Sequence, residues 1–401
     1  MTSEWHEVPL RELVGYISKG IAPSYAEEAS ETTIRVLNQK CNRNFRISYG
    51  DSRLHDTLKK KVPPERYIKP DDILINSTGA GTAGRIAQIE DVPSATTIDG
   101  HMTLIRSNGK VTQKFLGYAL KAHQWEVLQL DEGSTGQTEL NRDRLLDEIM
   151  INYPVSFDEQ NAIVGTLESI DRKLIVNEQL NDNLEQQAQS YFHELFVDNA
   201  DPEWAIGTIS DLGTVVGGST PSKAKPEYYT ESGIAWITPK DLSINKSKFV
   251  SHGENDITEL GLKNSSAAIM PEGTVLFSSR APIGYIAIAA GEVTTNQGFK
   301  SVVPKPEIGT PFVYFFLKNT LPVIEGMASG STFKEVSGST MKNVPAVIPD
   351  AETLAKFSDF CAPIFAQQRI LEEQNQSLAT LRDNLLPKLM SGEIDVSAVQ
   401  L

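Results

Sequence analysis

Residues 79–84 read Gly-Ala-Gly-Thr-Ala-Gly, a spacing that lets backbone approach a dinucleotide pyrophosphate. That chemistry needs a helix next, so that its amino-terminal N–H groups face the phosphates. Here Arg85-Ile86-Ala87-Gln88-Ile89 reads as a strand, and the matching residues 279–284 lack the first two glycines. A phosphate-binding P-loop fails on the same stretch. Arg85-Ile86 stands where a lysine and a hydroxyl residue would meet phosphate and magnesium.

Other reactive constellations fail in the same way. Asn152-Tyr153-Pro154 has the wrong order, and one proline too few, for the Asn/Asp-Pro-Pro-aromatic motif of amino-methyltransferases. His6, His55, His101, His123, His193 and His252 are scattered without metal-ligand spacing. Asp171-Arg172-Lys173 imitates the end of a nuclease motif but falls in a helical repeat, where a solvated face is expected. No Ser-His-Asp or Cys-His set presents itself. The chain is expected to catalyse nothing itself.

The elements around these residues are stated twice, about 200 residues apart. Trp5 begins W-H-E-V-P-L-R-E-L and Trp204 begins W-A-I-G-T-I-S-D-L; Ile34 opens I-R-V-L-N-Q-K and Ile234 opens I-A-W-I-T-P-K. Gly84-Arg85-Ile86-Ala87 is echoed by Gly284-Tyr285-Ile286-Ala287, and Gly133-Ser134-Thr135 by Gly330-Ser331-Thr332. So long a period indicates two whole domains of one fold, not a stacked solenoid. Short apolar runs at 34–37, 73–75 and 86–89 predict strands, matched by 234–237, 275–277 and 285–289. Helical spacing covers 115–128 in the first half and 312–317 in the second.

After Pro154 and Pro349 the rhythm changes to alternating steps of three and four. Ile163, Leu167, Ile170, Leu174, Asn177, Asn181, Leu184, Ala188, Tyr191 and Leu195 form one seam. Phe357, Phe360, Ile364, Gln367, Leu371, Gln374, Leu378, Leu381 and Leu385 form another. The first, if helical throughout, is about 48 Å long. Polar seam residues fix register at some cost in stability. The seams point to the two helices pairing with each other, antiparallel; pairing of each with another chain is the alternative. The expected fold is α/β (α+β): two similar globular domains separated by two long helices in an antiparallel coiled coil. The boundaries are 1–153 and 201–348 for the domains, 154–200 and 349–401 for the helical segments.

A net charge of −15 over 401 residues argues by itself against a nucleic-acid partner, but its location matters more than its total. Residues 156–203 hold 11 acids and 2 bases, and residues 350–401 hold 8 and 4. Residues 35–70, by contrast, carry 10 lysines or arginines against 3 acids. Lys59-Lys60-Lys61 taken alone could be a solvated loop; the whole segment could steer a polyanion. Two distant cysteines, Cys41 and Cys361, offer no disulfide framework. With no signal-peptide pattern and no apolar run near membrane-spanning length, the cytoplasm is the expected compartment.

Three runs in the second half carry a resemblance. Residues 271–284 read Pro-Glu-Gly-Thr-Val-Leu-Phe-Ser-Ser-Arg-Ala-Pro-Ile-Gly, residues 295–300 Thr-Asn-Gln-Gly-Phe-Lys, and residues 385–394 Leu-Leu-Pro-Lys-Leu-Met-Ser-Gly-Glu-Ile. Together with the duplication, they resemble the specificity subunit of type I restriction-modification systems. The first half departs, with Asn76-Ser77-Thr78-Gly79-Ala80-Gly81 where Ser-Ser-Arg-Ala-Pro would stand. Recognition domains of this family differ because they read different DNA, so contacts cannot be transferred between halves.

The resemblance implies that the two domains are target recognition domains, each reading half of a split, asymmetric double-stranded DNA site. The coiled coil would set the unread gap. Partners would be two modification subunits, which bind S-adenosylmethionine and methylate adenine, and restriction subunits that cut using ATP and Mg; this chain would bind none of these cofactors. Loop residues able to meet bases or phosphates are Lys40, Asn42, Arg43, Asn44, Asn76, Ser77, Thr78 and Arg85, then Ser134, Thr135, Gln137 and Thr138. In the second half they are Lys240, Ser278, Ser279, Arg280, Thr295, Asn296, Gln297, Ser331, Thr332 and Lys334. The competing expectation is a two-domain adaptor that joins proteins through its coiled coil and has no affinity for DNA.

Overall fold

Proline followed by a capping side chain opens each long helix. Ser156 Oγ accepts from the Glu159 N–H (3.4 Å) ahead of helix Phe157–His193. Asp350 Oδ1 accepts from the Thr353 N–H (2.8 Å) ahead of helix Ala351–Met390. Both satisfy amino-terminal donors that the helix cannot satisfy itself. These elements belong to a computed structural model that describes residues 4–79, 81–132, 139–330 and 334–396. The chain divides into two compact units, Met1–Leu174 with Leu378–Leu401, and Ile175–Ser377, so each unit holds part of both long helices. Among the described residues no helix is long and apolar enough to cross a membrane.

In the first unit, strands Val14–Lys19, Met102–Ser107, Ile73–Asn76 and Ile86–Gln88 lie side by side in that order, all antiparallel. Alternation decides what each face buries. Ile73, Ile75 and Ile105 face a core with Phe115, Leu116 and Leu120 of helix Gln113–Ala122 and with Ile163, Leu167, Leu386 and Leu389 of the long helices. Leu74, Met102 and Leu104 face the other way, onto Leu37 and Ile98 of a second sheet. That sheet runs Thr96–Ile98, Thr33–Leu37, Arg53–Asp56, Tyr25–Ala26, with only the first pair parallel. A ribbon of Trp5–Pro9 and Met150–Pro154 ties the ends of the unit together.

The second unit repeats this plan. Strands Gly213–Gly217, Lys300–Pro304, Val275–Ser279 and Ile283–Ala289 form the central sheet, and Phe249–Val250 adds a fifth strand, parallel to its neighbour. The second sheet runs Tyr229–Thr230, Asn255–Ile257, Ile234–Ile237, Thr294–Thr295, again with a parallel pair at the end. Ribbon Ala205–Thr208 with Pro345–Ile348 completes it. The two tryptophans that announce the repeat do the same work. Trp5 Nε1 donates to Glu159 (3.2 Å) and Trp204 Nε1 to Asp350 (2.9 Å), so each ties its ribbon to the start of the helix that follows.

The long helices run antiparallel within the second unit: Asn177 Nδ2 donates to Asn375 (2.9 Å), Gln368 Nε2 to the Asn181 carbonyl (3.3 Å), and the Tyr191 and Phe360 rings meet at a tilt with centres 4.5 Å apart. The first seam is as expected, with Ile163, Leu167, Ile170, Leu174, Asn177 and Ala188 buried. The second needs correction. Phe357, Ile364 and Leu371 are buried as expected, but Phe360, Gln367, Gln374 and Leu381 are exposed, while Cys361 and Gln368 are buried. At those places the inward face turns by one residue, and Gln368 meets the buried Lys248 amine (2.8 Å).

Asp171 is also not the solvated helix residue expected. Its carboxylate takes Lys121 (3.0 Å), Tyr118 Oη (2.9 Å) and Arg382 from the second long helix (3.2 Å), all within the first unit. Burial alone would raise that carboxyl, but Lys121, Tyr118 and Arg382 together hold it below the ordinary aspartate range. The helical run expected over 115–128 is two pieces, Gln113–Ala122 and Gln124–Val127, broken at His123. Gln124 explains the break: its side chain bonds the Ile86 N–H (2.9 Å) and the Gly84 carbonyl (2.8 Å) and so stays with the glycine turn.

Candidate nucleic-acid interface

The parallel strand pair in each unit delivers the chain into one particular turn. In the first unit it is 98–102: the Asp99 N–H donates to the Leu37 carbonyl (2.9 Å), and the Met102 N–H to the Asp99 carbonyl (3.1 Å). Asp99 Oδ1 accepts from the His101 N–H (2.9 Å). The His101 carbonyl accepts from Ser77 (2.7 Å), and the Ile98 carbonyl from Ile21 (2.9 Å). Every one of these bonds recurs in the second unit. Asn296 donates to Ile237 (3.0 Å), Phe299 to Asn296 (3.2 Å), Ser279 to Gly298 (2.7 Å) and Ser219 to Thr295 (2.8 Å). Asn296 Oδ1 accepts from Gly298 (2.8 Å) as Asp99 does from His101. Burial pushes the Asp99 carboxyl up, opposed by the His101 N–H, Tyr25 and Arg53.

Close approach at this turn requires glycine. A Cβ on Gly20 would lie 2.1 Å from the Asp99 carbonyl oxygen, and one on Gly218 would lie 2.0 Å from that of Asn296. The signal was present in the sequence as Gly-x-x-Pro-Ser, at residues 20–24 and 218–222. The recurring hydrogen bonds match Asp99 to Asn296, a correspondence that reading the loops separately missed.

Different side chains decorate this shared frame. In the first unit Thr78 Oγ1 lies 2.7 Å from His101 Nδ1 and donates to Gln39 Oε1 (3.2 Å), beside exposed Lys40. The matching positions in the second are Arg280, Gly298, Pro239 and Lys240. There Arg280 sits 3.5 Å from Glu335, Lys240 donates to Glu254 (2.6 Å), and Gln297 accepts from Thr220. Gln39, His101, Asp99 and Thr220 are members that sequence reading had not named.

Several expected contacts lie inside the fold. Asn42, Asn76, Ser77, Ser278, Ser279 and Thr295 are all at most 1% exposed. Asn42 donates to Asn76 (3.2 Å) and to the Arg85 carbonyl (2.8 Å); Asn76 donates to the Gln39 carbonyl (3.1 Å). Ser77 pairs with Thr103 (2.7 Å), Ser278 donates to the Pro282 carbonyl (2.8 Å), and Ser279 to that of Gly298 (3.1 Å). All but Thr295, whose Oγ1 has no hydrogen-bond partner, brace the loops from within, and none presents surface to a base. Arg43, Asn44, Gln297 and Lys334 are exposed; Arg85, Thr78, Arg280 and Asn296 are half-buried at the loop edges. Ser134, Thr135, Gln137, Thr138, Ser331 and Thr332 fall outside the described residues.

No group of three or more histidine, cysteine or carboxylate side chains able to hold a metal occurs among the described residues. Cys41 and Cys361 are buried thiols, the latter pushed up to about 12 by burial. What the frame can do is hydrogen-bond and neutralise charge, from two loop clusters of one design.

Known proteins carry the same design. A family model described as the type I restriction modification DNA specificity domain matches residues 2–186 and again 202–381. The type I restriction enzyme MjaIX specificity subunit of Methanocaldococcus jannaschii is 39% identical over 194 residues, 46% of this chain and 45% of that protein. The HindI specificity subunit of Haemophilus influenzae is 27% identical over 194 residues, 48% of this chain and 42% of that one. The chain thus spans under half the length of these two relatives. The crystal structure of a type I restriction-modification S subunit from M. genitalium has the same fold, with a TM-score of 0.62 at 18% identity over 97% of this chain and 99% of that one. With a match in each half, the chain belongs to the type I restriction modification DNA specificity domain family.

Proposed function

We propose that this chain chooses the DNA sites at which a type I restriction-modification complex acts, each unit reading one half of a bipartite, asymmetric sequence. The observation that carries the reading is the duplicated turn at Asp99 and Asn296, identical in its main-chain bonds and different in its side chains. A frame repeated for shape alone has no reason to vary at Gln39, Thr78 and His101 against Pro239, Arg280 and Gly298. Two readers of unlike sequences do. Side chains on such loops read base edges, while lysines, arginines and backbone N–H groups hold phosphate.

Adenine methylation with S-adenosylmethionine, and cleavage with ATP and Mg, belong in this reading to two modification subunits and to restriction subunits. The chain contributes address, not chemistry, and works in the cytoplasm with the DNA.

Sequencing methylated genomic DNA with and without the gene tests this directly: a split motif should vanish with the gene. Exchanging residues 1–153 for those of another family member should change one half of that motif. A change in both halves would refute separate readers. We propose further that the unread gap follows helix length, so that seven residues added to both long helices alter it; an unaltered gap with full activity counts against that.

A further inference from the structure

The cations around the two frames are held differently. In the first unit five have neutral partners, although Lys19 is paired with Glu139. Arg35 donates to Ser52 Oγ (3.0 Å), Lys60 to the Ala22 carbonyl (2.8 Å), Arg66 to the Gly20 carbonyl (3.4 Å) and Arg85 to the Gly81 carbonyl (3.2 Å). The Arg53 guanidinium lies 3.4 Å from the centre of the Tyr25 ring. None of these five forms an ion pair among the described residues, although Lys59 nearby has Asp56 at 3.8 Å. In the second unit Lys240 is bound to Glu254 (2.6 Å), Arg280 and Lys300 share Glu335 (3.5 and 3.9 Å), and Lys225 meets Glu227 (3.6 Å). Composition agrees: residues 35–70 hold 10 bases and 3 acids, and the corresponding residues 235–270 hold 4 of each.

From this we infer that the two recognition units grip DNA unequally: the first is the phosphate anchor, through Arg35, Arg53, Lys60 and Arg66, and the second is a reader whose Lys240, Arg280 and Lys300 are reserved by Glu254 and Glu335. A guanidinium fixed by a carbonyl or a ring keeps its whole charge for phosphate, and its geometry is already set. A lysine or arginine on a carboxylate must give up that partner first, so it engages the backbone only where good base contacts offset the loss. The anchor supplies affinity for any duplex, and the reserved cations keep the second unit from adding to it. The inference rests on the DNA-reading function proposed above.

The test is a salt titration of the full chain on a random 30-base-pair duplex. Each phosphate neutralised contributes roughly 0.9 to the slope of log affinity against log salt. R35Q/R53Q/R66Q should lower that slope by about 2–3. E254Q/E335Q, which removes no packing group, should raise affinity for the random duplex several-fold, steepen the slope by about 1–2 and reduce preference for the methylated motif. An unchanged slope in both variants, with wild-type protein still binding DNA, overturns the unequal grip alone. Wild-type protein without salt-sensitive DNA binding overturns the functional reading as well. Should the arginine variant unfold, the glutamine variant decides by itself: no gain on random DNA refutes the inference.

Discussion

Lys19 and Lys300 occupy opposite members of one cross-strand pair. Lys19 lies across from Thr103 in the first unit, and Lys300 across from Gly217 in the second. Each reaches the same carboxylate position, Glu139 or Glu335, although the lysine comes from a different strand. Burial pushes the Lys300 amine down while Glu335 opposes it. The two units therefore keep a cation–glutamate contact beside the reading turn even where the residue supplying the cation has moved.

Gly218→Ala should be among the most damaging small changes in the second unit. The new Cβ would lie 2.0 Å from the Asn296 carbonyl oxygen and 2.4 Å from that of Thr295, and main chain cannot yield as a side-chain tip can. We expect a cost of about 2–3 kcal/mol, in the range of core overpacking, with the second half-site lost and the first retained. Thermal unfolding and sequencing of methylated DNA measure both; normal recognition of both halves would show that the turn tolerates displacement.

Arg280→Gln should relax the choice of base or weaken backbone contact in one half-site only. A bidentate arginine contact is worth about 1–3 kcal/mol of discrimination. Thr78→Ala, at the matching position, should affect only the other half. Competition binding with duplexes mutated in one half at a time separates these outcomes, and an effect of either change on both halves counts against them.

Asp171→Asn leaves Lys121 without the carboxylate it bonds and Arg382 with Asp383 alone, and should cost about 3 kcal/mol at neutral pH, as when a buried pair loses one partner. Because the folded carboxyl sits below its ordinary value, the unfolded chain binds the extra proton near pH 4. The stabilisation is complete above the unfolded value, ~3.9, and is lost as pH falls through the folded one. Urea midpoints of wild type and variant should converge from pH 5 down to pH 3; a constant difference would assign the loss to packing.

Asn177→Leu should instead stabilise the helix pair. Asn177 is 1% exposed, and its Oδ1 has no hydrogen-bond partner, while its Nδ2 serves the half-buried Asn375, which can turn to water. Removing an unmet buried acceptor is worth about 1–3 kcal/mol. A lower melting temperature for the variant would mean that this asparagine does more for register than it costs.

Lys248 shows how far the helix seam was legible. The first seam was read from spacing alone, and Ile163, Leu167, Ile170 and Leu174, which it picked, are buried. On the second helix Phe360 is followed by Cys361, Ile364 by Phe365 and Gln367 by another glutamine, and spacing does not choose between such neighbours. The choice is made by a residue distant in sequence. Lys248 sits 3.5 Å from the centre of the Phe365 ring and bonds Glu185 and Gln368, each at 2.8 Å. Burial pushes its amine down to about 8, against the pull of Glu185. Spacing alone cannot contain that information.

The reading loops were legible as segments and not as residues. Polar side chains near glycines look alike on paper, whether they face solvent or brace the loop from within, as Asn42, Asn76 and Ser279 do. Comparing the halves with each other carried more than scanning either for motifs. Gly20 and Gly218 mark the turn; that Asp99 answers to Asn296 is visible only in its hydrogen bonds.

Because main-chain bonds build that turn, the amino acids decorating it are replaceable without dismantling it. On the function proposed above, a lineage can re-address one half of its target by single substitutions at Gln39, Thr78 or His101, and leave the other half as it was. Such a protein can keep changing what it recognises while its assembly, and the chemistry it directs, stay constant.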